Sequence, residues 1–438
     1  QRSCATRLWG GNLAWFVFWG YQLVILLAAT GYLLGSTQSK EYAELEWPID
    51  IMVVVLWVIF AINIIMTIVK RREEQMYISL WYMLAALVGV AVLYLVNAAE
   101  VPVSLFKSYS AYAGTNDANV QWWFGHNAVA MVLTAPPLAV FYYFLPKSTG
   151  VPIFSHRLSI ISFWSLIFMY LWTGAHHLLW TPVPDWVQTL AMAFSIMLIA
   201  PSWGSVFNGY LSMNGQWHQM RENYLVKFLI LGITFYGLQT LQGPMQAIRS
   251  FNSFIHYTEW VPGHVHMGAM GWVSLVLFAA IYYLVPRLYG REIYSIPLAN
   301  LHFWLVLIGQ LIYSISMWIA GVQQAGHAWV VEVGQQLVRD LLHADLGVPH
   351  GRRIVTVDTA KVAAAVDQRQ VDLLGLAPLA GHRPRREVGL GRFPRRVGGD
   401  PLLPRAAPVP ARERRRDGRG RRGSRVAVLR ARRSDRHR

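Results

Sequence analysis

Apolar residues dominate nine stretches of this chain, and shorter polar segments separate them. Each stretch holds roughly 20 residues or more, the length that a helix needs to cross the hydrocarbon core of a bilayer. The pattern therefore predicts nine membrane-spanning helices. They are expected at residues 9–34, 49–69, 77–98, 119–145, 155–180, 186–211, 224–248, 260–286 and 297–321.

The composition agrees with this pattern. Of the 438 residues, 54% are hydrophobic and 19 are tryptophan, which is too apolar for a water-soluble domain. We therefore predict an all-α fold, a polytopic transmembrane helical bundle. Cys4 is the single cysteine, which excludes an intrachain disulfide, a cysteine-based zinc site and covalent haem attachment through a Cys-x-x-Cys-His motif.

The charges predict an orientation. Residues 331–438 carry 25 Lys and Arg against 11 Asp and Glu, whereas the first 330 residues carry 14 against 12. Within this nearly neutral part, Lys and Arg concentrate after the even-numbered runs and acidic residues after the odd-numbered ones. Positively charged loops stay in the cytoplasm, so the even-numbered loops are expected there.

Five histidines share one predicted depth. With this orientation, His126, His176, His177, His264 and His266 lie about four to seven residues from the outer end of their runs, within roughly the outer third of the membrane. A lone histidine in an apolar helix is more often a hydrogen-bonded packing residue. Five at one depth favour a functional site, because such side chains are costly inside a membrane.

The spacing of these histidines predicts two kinds of centre. His176 and His177 are expected about 100° apart on a helix and, with His126, would form a three-imidazole site that suits copper or another late transition metal. His264 and His266 leave opposite sides of one helix and cannot share a metal. One could bind an iron that faces the first metal, so that the pair encloses a small diatomic molecule, and the other could bind a second haem.

Two further expectations concern Tyr170 and the start of the chain. Tyr170 precedes His176 by six residues, about 9 Å along a helix, and a phenol there could supply a proton and an electron; an amphipathic core tyrosine is the alternative.

A low-spin haem needs two axial ligands, and no unassigned histidine remains at this depth. The chain opens at Gln1 without Met, so we expect the partner of His266 on a preceding segment.

Several motifs resemble one known family. They closely resemble the catalytic subunit of the cbb3-type cytochrome c oxidases, the C-family of haem-copper oxidases, from about residue 5 to about residue 324. The motifs are Leu8–Phe16, Gln38–Glu44, Trp122–Val129, Tyr170–Leu178, Pro184–Trp186, Ala200–Gly204 and Gly263–His266.

The resemblance implies a role for each matching residue. His264 would be the proximal ligand of a high-spin b-type haem and His266 one ligand of a low-spin b-type haem. Tyr170 would be the active-site tyrosine that is cross-linked to His126, and Glu41 a calcium ligand. The copper ligands would be His126, His176 and His177.

The resemblance also implies an activity. The family reduces O2 to water in the bacterial inner membrane, takes electrons from membrane-anchored c-type cytochrome subunits and moves protons. Ser159 and Tyr236 resemble its proton channel to Tyr170, although such residues in membrane helices often simply bond backbone carbonyls. Membrane lipid is expected around the bundle, and no nucleic acid.

One position departs from the family. Gln242 stands where the family typically has a glutamate near the high-spin haem. An amide forms hydrogen bonds but carries no proton at physiological pH, which puts a proton-handling role there in doubt.

Two rival functions remain open from the sequence. A nitric oxide reductase would hold non-haem iron in place of copper, and such iron usually recruits a carboxylate beside its histidines. An inactive haem-binding remnant is the other rival.

The C-terminal part differs from the rest. We divide the chain into a transmembrane domain at 1–324 and a basic Arg/Ala/Gly/Pro-rich tail at 325–438, because 24 arginines fall in the last 108 residues. We interpret this tail as disordered or translated out of frame. The alternative is a genuine basic tail that binds nucleic acid or anionic lipid.

Overall fold

A computed structural model describes the backbone of residues 1–346 and the side chains of residues 1–336. Within this part, eight helical segments are long and apolar enough to cross a membrane, which makes the chain a multi-pass membrane protein. The all-α bundle is confirmed, with one short hairpin outside the helices. Helix α1 spans Gly11–Leu34, α2 Trp47–Val69 and α3 Ile78–Asn97, and strands β1 (Glu100–Ser104) and β2 (Lys107–Ser110) pair antiparallel after α3.

The fourth and eighth predicted runs are each interrupted by a π-helix. In the fourth, Val129–Thr134 is π-helical between α4 (Gly114–Ala128) and α5 (Ala135–Thr149). In the eighth, Met267–Val273 is π-helical between α12 (Trp260–His266) and α13 (Ser274–Tyr289). Both π-helices directly follow the candidate histidines, and π-turns within α-helices are frequent at functional sites.

The fifth run differs from its prediction. A continuous helix over 155–180 is wrong beyond Tyr170, because α6 spans only His156–Tyr170 and a separate 3-10 helix covers Gly174–Leu178. The Thr173 hydroxyl donates to the Tyr170 carbonyl at 2.8 Å. In a continuous helix this carbonyl would accept from the backbone N–H of Gly174 instead. Eight of the nine predicted runs therefore form span-length helices, and this one is a shorter helix followed by a turn.

The remaining helices complete the bundle. Helix α14 continues past residue 325, the predicted start of the tail, and residues 347–438 lie outside the described part, so the domain division and the interpretation of the tail stay predictions. The helices are α7 (Asp185–Met197), α8 (Ile199–Ser212), α9 (Gln219–Glu222), α10 (Tyr224–Ala247), α11 (Arg249–Ile255) and α14 (Ile296–Leu346).

The core lies between α3, α5, α6, α8, α10 and α13. Its largest fully buried side chains are aromatic and include Tyr82, Tyr142, Tyr236, Phe141 and Trp272. Lipid tails are as apolar as these side chains, so close packing and hydrogen bonds hold membrane helices together rather than a hydrophobic driving force. Both π-helices pack against this core.

Candidate metal centre

Three of the predicted histidines converge. His126 lies near the end of α4, and His176 and His177 lie on the 3-10 helix that replaces the end of the fifth run. One nitrogen from each ring falls within 4.8 Å of the other two. The two adjacent histidines therefore meet His126 from a tight turn and not, as the spacing predicted, from a continuous α-helix.

A glycine allows the turn to approach α4. A Cβ atom on Gly174 would stand 2.8 Å from the Trp122 carbonyl oxygen and 2.9 Å from the Trp123 Cα. Both are backbone atoms that cannot move without displacing the helix. The absence of a side chain at this position therefore lets the two histidines of the turn reach His126.

The cluster fits a metal ion. His126 Nδ1 and His177 Nε2 stand 3.3 Å apart, close to the distance of about 3.3 Å between two ligand nitrogens bound tetrahedrally at about 2.0 Å. His126 is buried, and its Nε2 has no hydrogen-bond partner among the described residues. Three imidazoles suit copper and also accept zinc, iron or nickel.

Aromatic rings connect this cluster to the loop before α2. The indole of Trp122 stacks on His177 with the ring centroids 4.2 Å apart, and the edge of Tyr42 meets Trp122 at 5.8 Å. Burial, assisted by the negative charge of Glu41, raises the pKa of the Tyr42 phenol above its usual value. Glu41, the predicted calcium ligand, is exposed and accepts a hydrogen bond from Gln121 at 3.0 Å.

Tyr170 lies against the cluster. Its ring stacks on His126 with centroids 4.9 Å apart and 28° between the planes. The predicted separation of about 9 Å along one helix does not apply, because α6 ends at Tyr170. The tyrosine therefore contacts a candidate metal ligand directly.

His264 and His266 face different neighbours. His264 Nδ1 lies 3.4 Å from Gln242 Oε1, a long contact for a hydrogen bond, and His264 is near enough to interact electrostatically with all three clustered histidines. His266 Nδ1 lies 2.9 Å from the Pro262 carbonyl and 3.0 Å from the Tyr313 hydroxyl. The two histidines therefore face different neighbours, as expected, and each has an oxygen atom near its Nδ1.

Polar side chains of α5, α6, α8 and α10, here called the polar column, lie within the core. Ser159 donates to the Ser155 carbonyl at 3.0 Å, as the backbone-bonding alternative expected, and also accepts from Asn208 Nδ2 at 3.0 Å. The hydroxyls of the fully buried Tyr142 and Tyr236 also lie in this core and have no hydrogen-bond partner among the described residues. The bond between Ser159 and Asn208 joins α6 to α8, and a proton path from there to Tyr170 stays a prediction.

Sequence reasoning missed most members of this column and one neighbour of the metal cluster. Polar residues recur at positions 202, 205, 208 and 212, a spacing that places them on one face of α8 and could have identified the column. The missed neighbour is Ser195 on α7, whose hydroxyl lies 2.7 Å from His176 Nδ1. Nothing in the local sequence distinguishes this serine from others in the membrane helices.

The chain is similar in sequence to curated oxidase subunits. The chain is 51% identical over 328 residues to a "Cytochrome c oxidase subunit 1 homolog" of Agrobacterium tumefaciens, covering 74% of this chain and 61% of that protein. It is also 51% identical over 330 residues to a "Cbb3-type cytochrome c oxidase subunit CcoN1" of Stutzerimonas stutzeri, covering 75% and 69%. The chain thus spans about three fifths of the length of the first relative.

A solved structure supports the fold. A heme-copper terminal oxidase dimer studied by cryo-electron microscopy matches with a TM-score of 0.60 at 17% identity, over 86% of this chain and 72% of that one. The family model "Cytochrome C and Quinol oxidase polypeptide I" matches residues 1–344. The chain therefore belongs to the cytochrome c and quinol oxidase polypeptide I family and is consistent with subunit I of the cbb3 type.

Proposed function

We propose that this chain is the catalytic subunit of a terminal respiratory oxidase that reduces O2 to water with electrons from c-type cytochromes and couples this reaction to proton translocation. The three-histidine cluster, with Tyr170 stacked on His126 and His264 nearby, is the observation that carries the proposal. These groups bring a candidate copper site, a phenol and a candidate haem-iron ligand together in one buried space.

Family membership implies haem and copper as cofactors. We assign one copper to His126, His176 and His177, a high-spin b-type haem to His264 and a low-spin b-type haem to His266. When bound, copper and haem iron would supply the electrons that O2 reduction needs. Glu41 is proposed to hold calcium.

The chain's own residues would supply and guide protons. Tyr170 is buried against His126, where its hydroxyl would give a proton and an electron to O2 at this centre. The Tyr236 hydroxyl is buried without a hydrogen-bond partner among the described residues, and ordered water usually satisfies such a group. We propose that water there, together with Ser159 and Asn208, carries protons from the cytoplasmic side.

Nitric oxide reduction is the second candidate. An iron in the histidine cluster would call for a carboxylate ligand, but among the described residues the cluster consists of three histidines alone. The side chain that contacts His264 is the amide of Gln242. Both observations favour copper and O2 reduction over non-haem iron.

The proposed setting follows from the relatives and the charges. The name of the Stutzerimonas relative identifies a subunit of a cbb3-type oxidase, so we propose membrane-anchored c-type cytochrome subunits as partners. The positive charge of the loops after the even-numbered runs supports our proposal that these loops face the cytoplasm of a bacterium and that the bundle lies in lipid of the inner membrane.

Metal analysis of the complex purified from its native membranes tests the proposal. We expect about one copper per two b-type haems, after covalent c-type haem is subtracted. His126→Ala should remove the copper and leave the haem. His302→Ala is the matched control, because this membrane histidine contacts Tyr282 at 3.0 Å outside the cluster and should not affect copper.

Three results would overturn the assignment. Non-haem iron without copper would favour nitric oxide reduction. A complex with neither haem nor metal would indicate an inactive remnant. Copper that survives His126→Ala would place the metal elsewhere in the chain or in a partner.

A further inference from the structure

His176 has a hydrogen-bond partner that comes from a different helix. Its Nδ1 atom lies 2.7 Å from the Ser195 hydroxyl oxygen on α7, and this serine is 1% exposed. The rings of His126 and His177 instead contact each other, with 3.3 Å between Nδ1 and Nε2. A serine hydroxyl therefore anchors one of the three candidate ligands from outside the cluster.

The direction of this hydrogen bond follows from the proton count of the serine. A hydroxyl has one proton to donate, and the Ser195 oxygen also lies 2.6 Å from the Ala191 carbonyl, which can only accept. The serine proton is thus committed to Ala191. Ser195 must accept from His176, so the imidazole carries its proton on Nδ1 and keeps the lone pair on Nε2.

This arrangement prepares His176 to bind a metal. A ligating imidazole needs one unprotonated nitrogen that faces the ion, and the hydrogen bond of the other nitrogen sets the tautomer and the ring orientation. His176 lies on a five-residue 3-10 helix that begins just after α6 ends. So short a segment constrains a side chain weakly, and the rigid helix α7 supplies the missing constraint.

We infer that Ser195 is a positioning residue for the metal ligand His176, holding its Nε2 towards the ion in the ligating tautomer. This inference rests on the proposed copper site and assigns a role to a residue outside the ligand set. Loss of such a partner typically weakens metal affinity about 10- to 100-fold.

The competing explanation is local. Serine and threonine in helices often donate to the carbonyl four residues earlier, and Ser195 would then matter only for its own helix. Ser212 on α8 offers a matched control. It donates to the Asn208 carbonyl at 2.6 Å, accepts from the Phe154 N–H at 2.8 Å and is also buried, but within residues 1–336 it bonds no histidine ring.

The experiment compares Ser195→Ala, Ser195→Thr and Ser212→Ala in the whole complex purified from membranes. Copper per b-type haem is measured before and after dialysis against graded concentrations of a copper chelator. The infrared stretch of CO bound to the reduced copper reports the ligand geometry, and the haem absorption spectrum reports assembly.

We expect Ser195→Ala to keep its haem spectrum, to lose copper at about 10- to 100-fold lower chelator strength and to shift or broaden the CO band. Ser195→Thr, which keeps the hydroxyl, should retain copper, and Ser212→Ala should match the parent in copper retention and in the CO band. If the alanine variant does not assemble, Ser195→Cys replaces it, since a thiol is a weaker acceptor and should lie between serine and alanine in copper retention.

Two outcomes would refute the role of Ser195: equal copper retention and equal CO bands in Ser195→Ala and Ser212→Ala, or a threonine variant that loses copper as alanine does. The metal content of the parent is a separate readout. A parent that holds iron instead of copper would overturn the proposed function, and the same order of variants, measured for iron, would still test Ser195.

Discussion

Replacing Gln242 with glutamate should lower the reduction potential of the haem that we assign to His264. Gln242 Oε1 lies 3.4 Å from His264 Nδ1, and glutamate has nearly the same shape as glutamine. The substitution therefore adds one negative charge, when ionised, and alters little else. A negative charge stabilises ferric over ferrous iron, so the potential falls.

The magnitude follows from distance. The contact to Nδ1, the width of an imidazole ring and an iron–nitrogen bond of about 2 Å together place the carboxylate about 8 Å from the iron. At an effective dielectric constant of about 20, two unit charges at about 8 Å interact by about 2 kcal/mol. For a one-electron couple this equals a decrease of about 90 mV.

A redox titration of the haem absorption in the purified complex measures this shift. Gln246→Glu is the control, because it makes the same change four residues later on α10, about 6 Å further along the helix, and should shift the potential less. The titration is repeated from about pH 6 to 9, while infrared difference spectra follow the introduced carboxyl group. An unchanged potential with an ionised carboxylate would refute the reasoning, as would equal shifts in the two variants.

Three other changes test separate parts of the structure. Tyr170→Phe keeps the ring and removes the hydroxyl, so O2 consumption should fall about 100-fold or more while copper and haem content stay constant. Trp272→Phe leaves the Leu133 carbonyl without its indole donor at 3.1 Å and should cost about 1–3 kcal/mol, seen as a lower thermal midpoint than in Trp57→Phe, whose indole bonds the Leu87 carbonyl from a less buried position. Asn208→Leu should slow proton uptake during turnover, measured with a pH-sensitive dye, without loss of copper; an unchanged rate would exclude the column as the proton path.

The sequence predicted the helices because the bilayer fixes their length. Eight apolar runs became span-length helices, since a chain in lipid must satisfy its own backbone hydrogen bonds. The prediction of one continuous fifth helix failed because the run was judged by its length, whereas α6 ends at Tyr170. The useful signals were local: Thr173 and Gly174 begin the turn, and Pro182 follows.

The common depth of the histidines was predictable because the bilayer fixes the length and orientation of the helices. Charged loops and the rise of a helix give the depth of His126 and His264 without any knowledge of packing. The depth of a histidine does not reveal which side chain it contacts. The contact of Ser195 with His176 joins two elements across a turn, and no periodicity in the sequence marks it.

The π-helices show why contacts between distant residues could not be predicted from the sequence. A π-turn holds more residues than an α-turn, so beyond each one the side chains point in directions that a 3.6-residue period does not predict. Trp272 and Leu133, 139 residues apart, each lie in a π-helix that follows candidate ligands, and their hydrogen bond joins the two segments. In a membrane, where apolar surface hardly distinguishes a neighbouring helix from lipid, such polar contacts fix one helix against another. The sequence therefore reveals which side chains are chemically costly in lipid, and only the structure reveals which distant groups hold them in place.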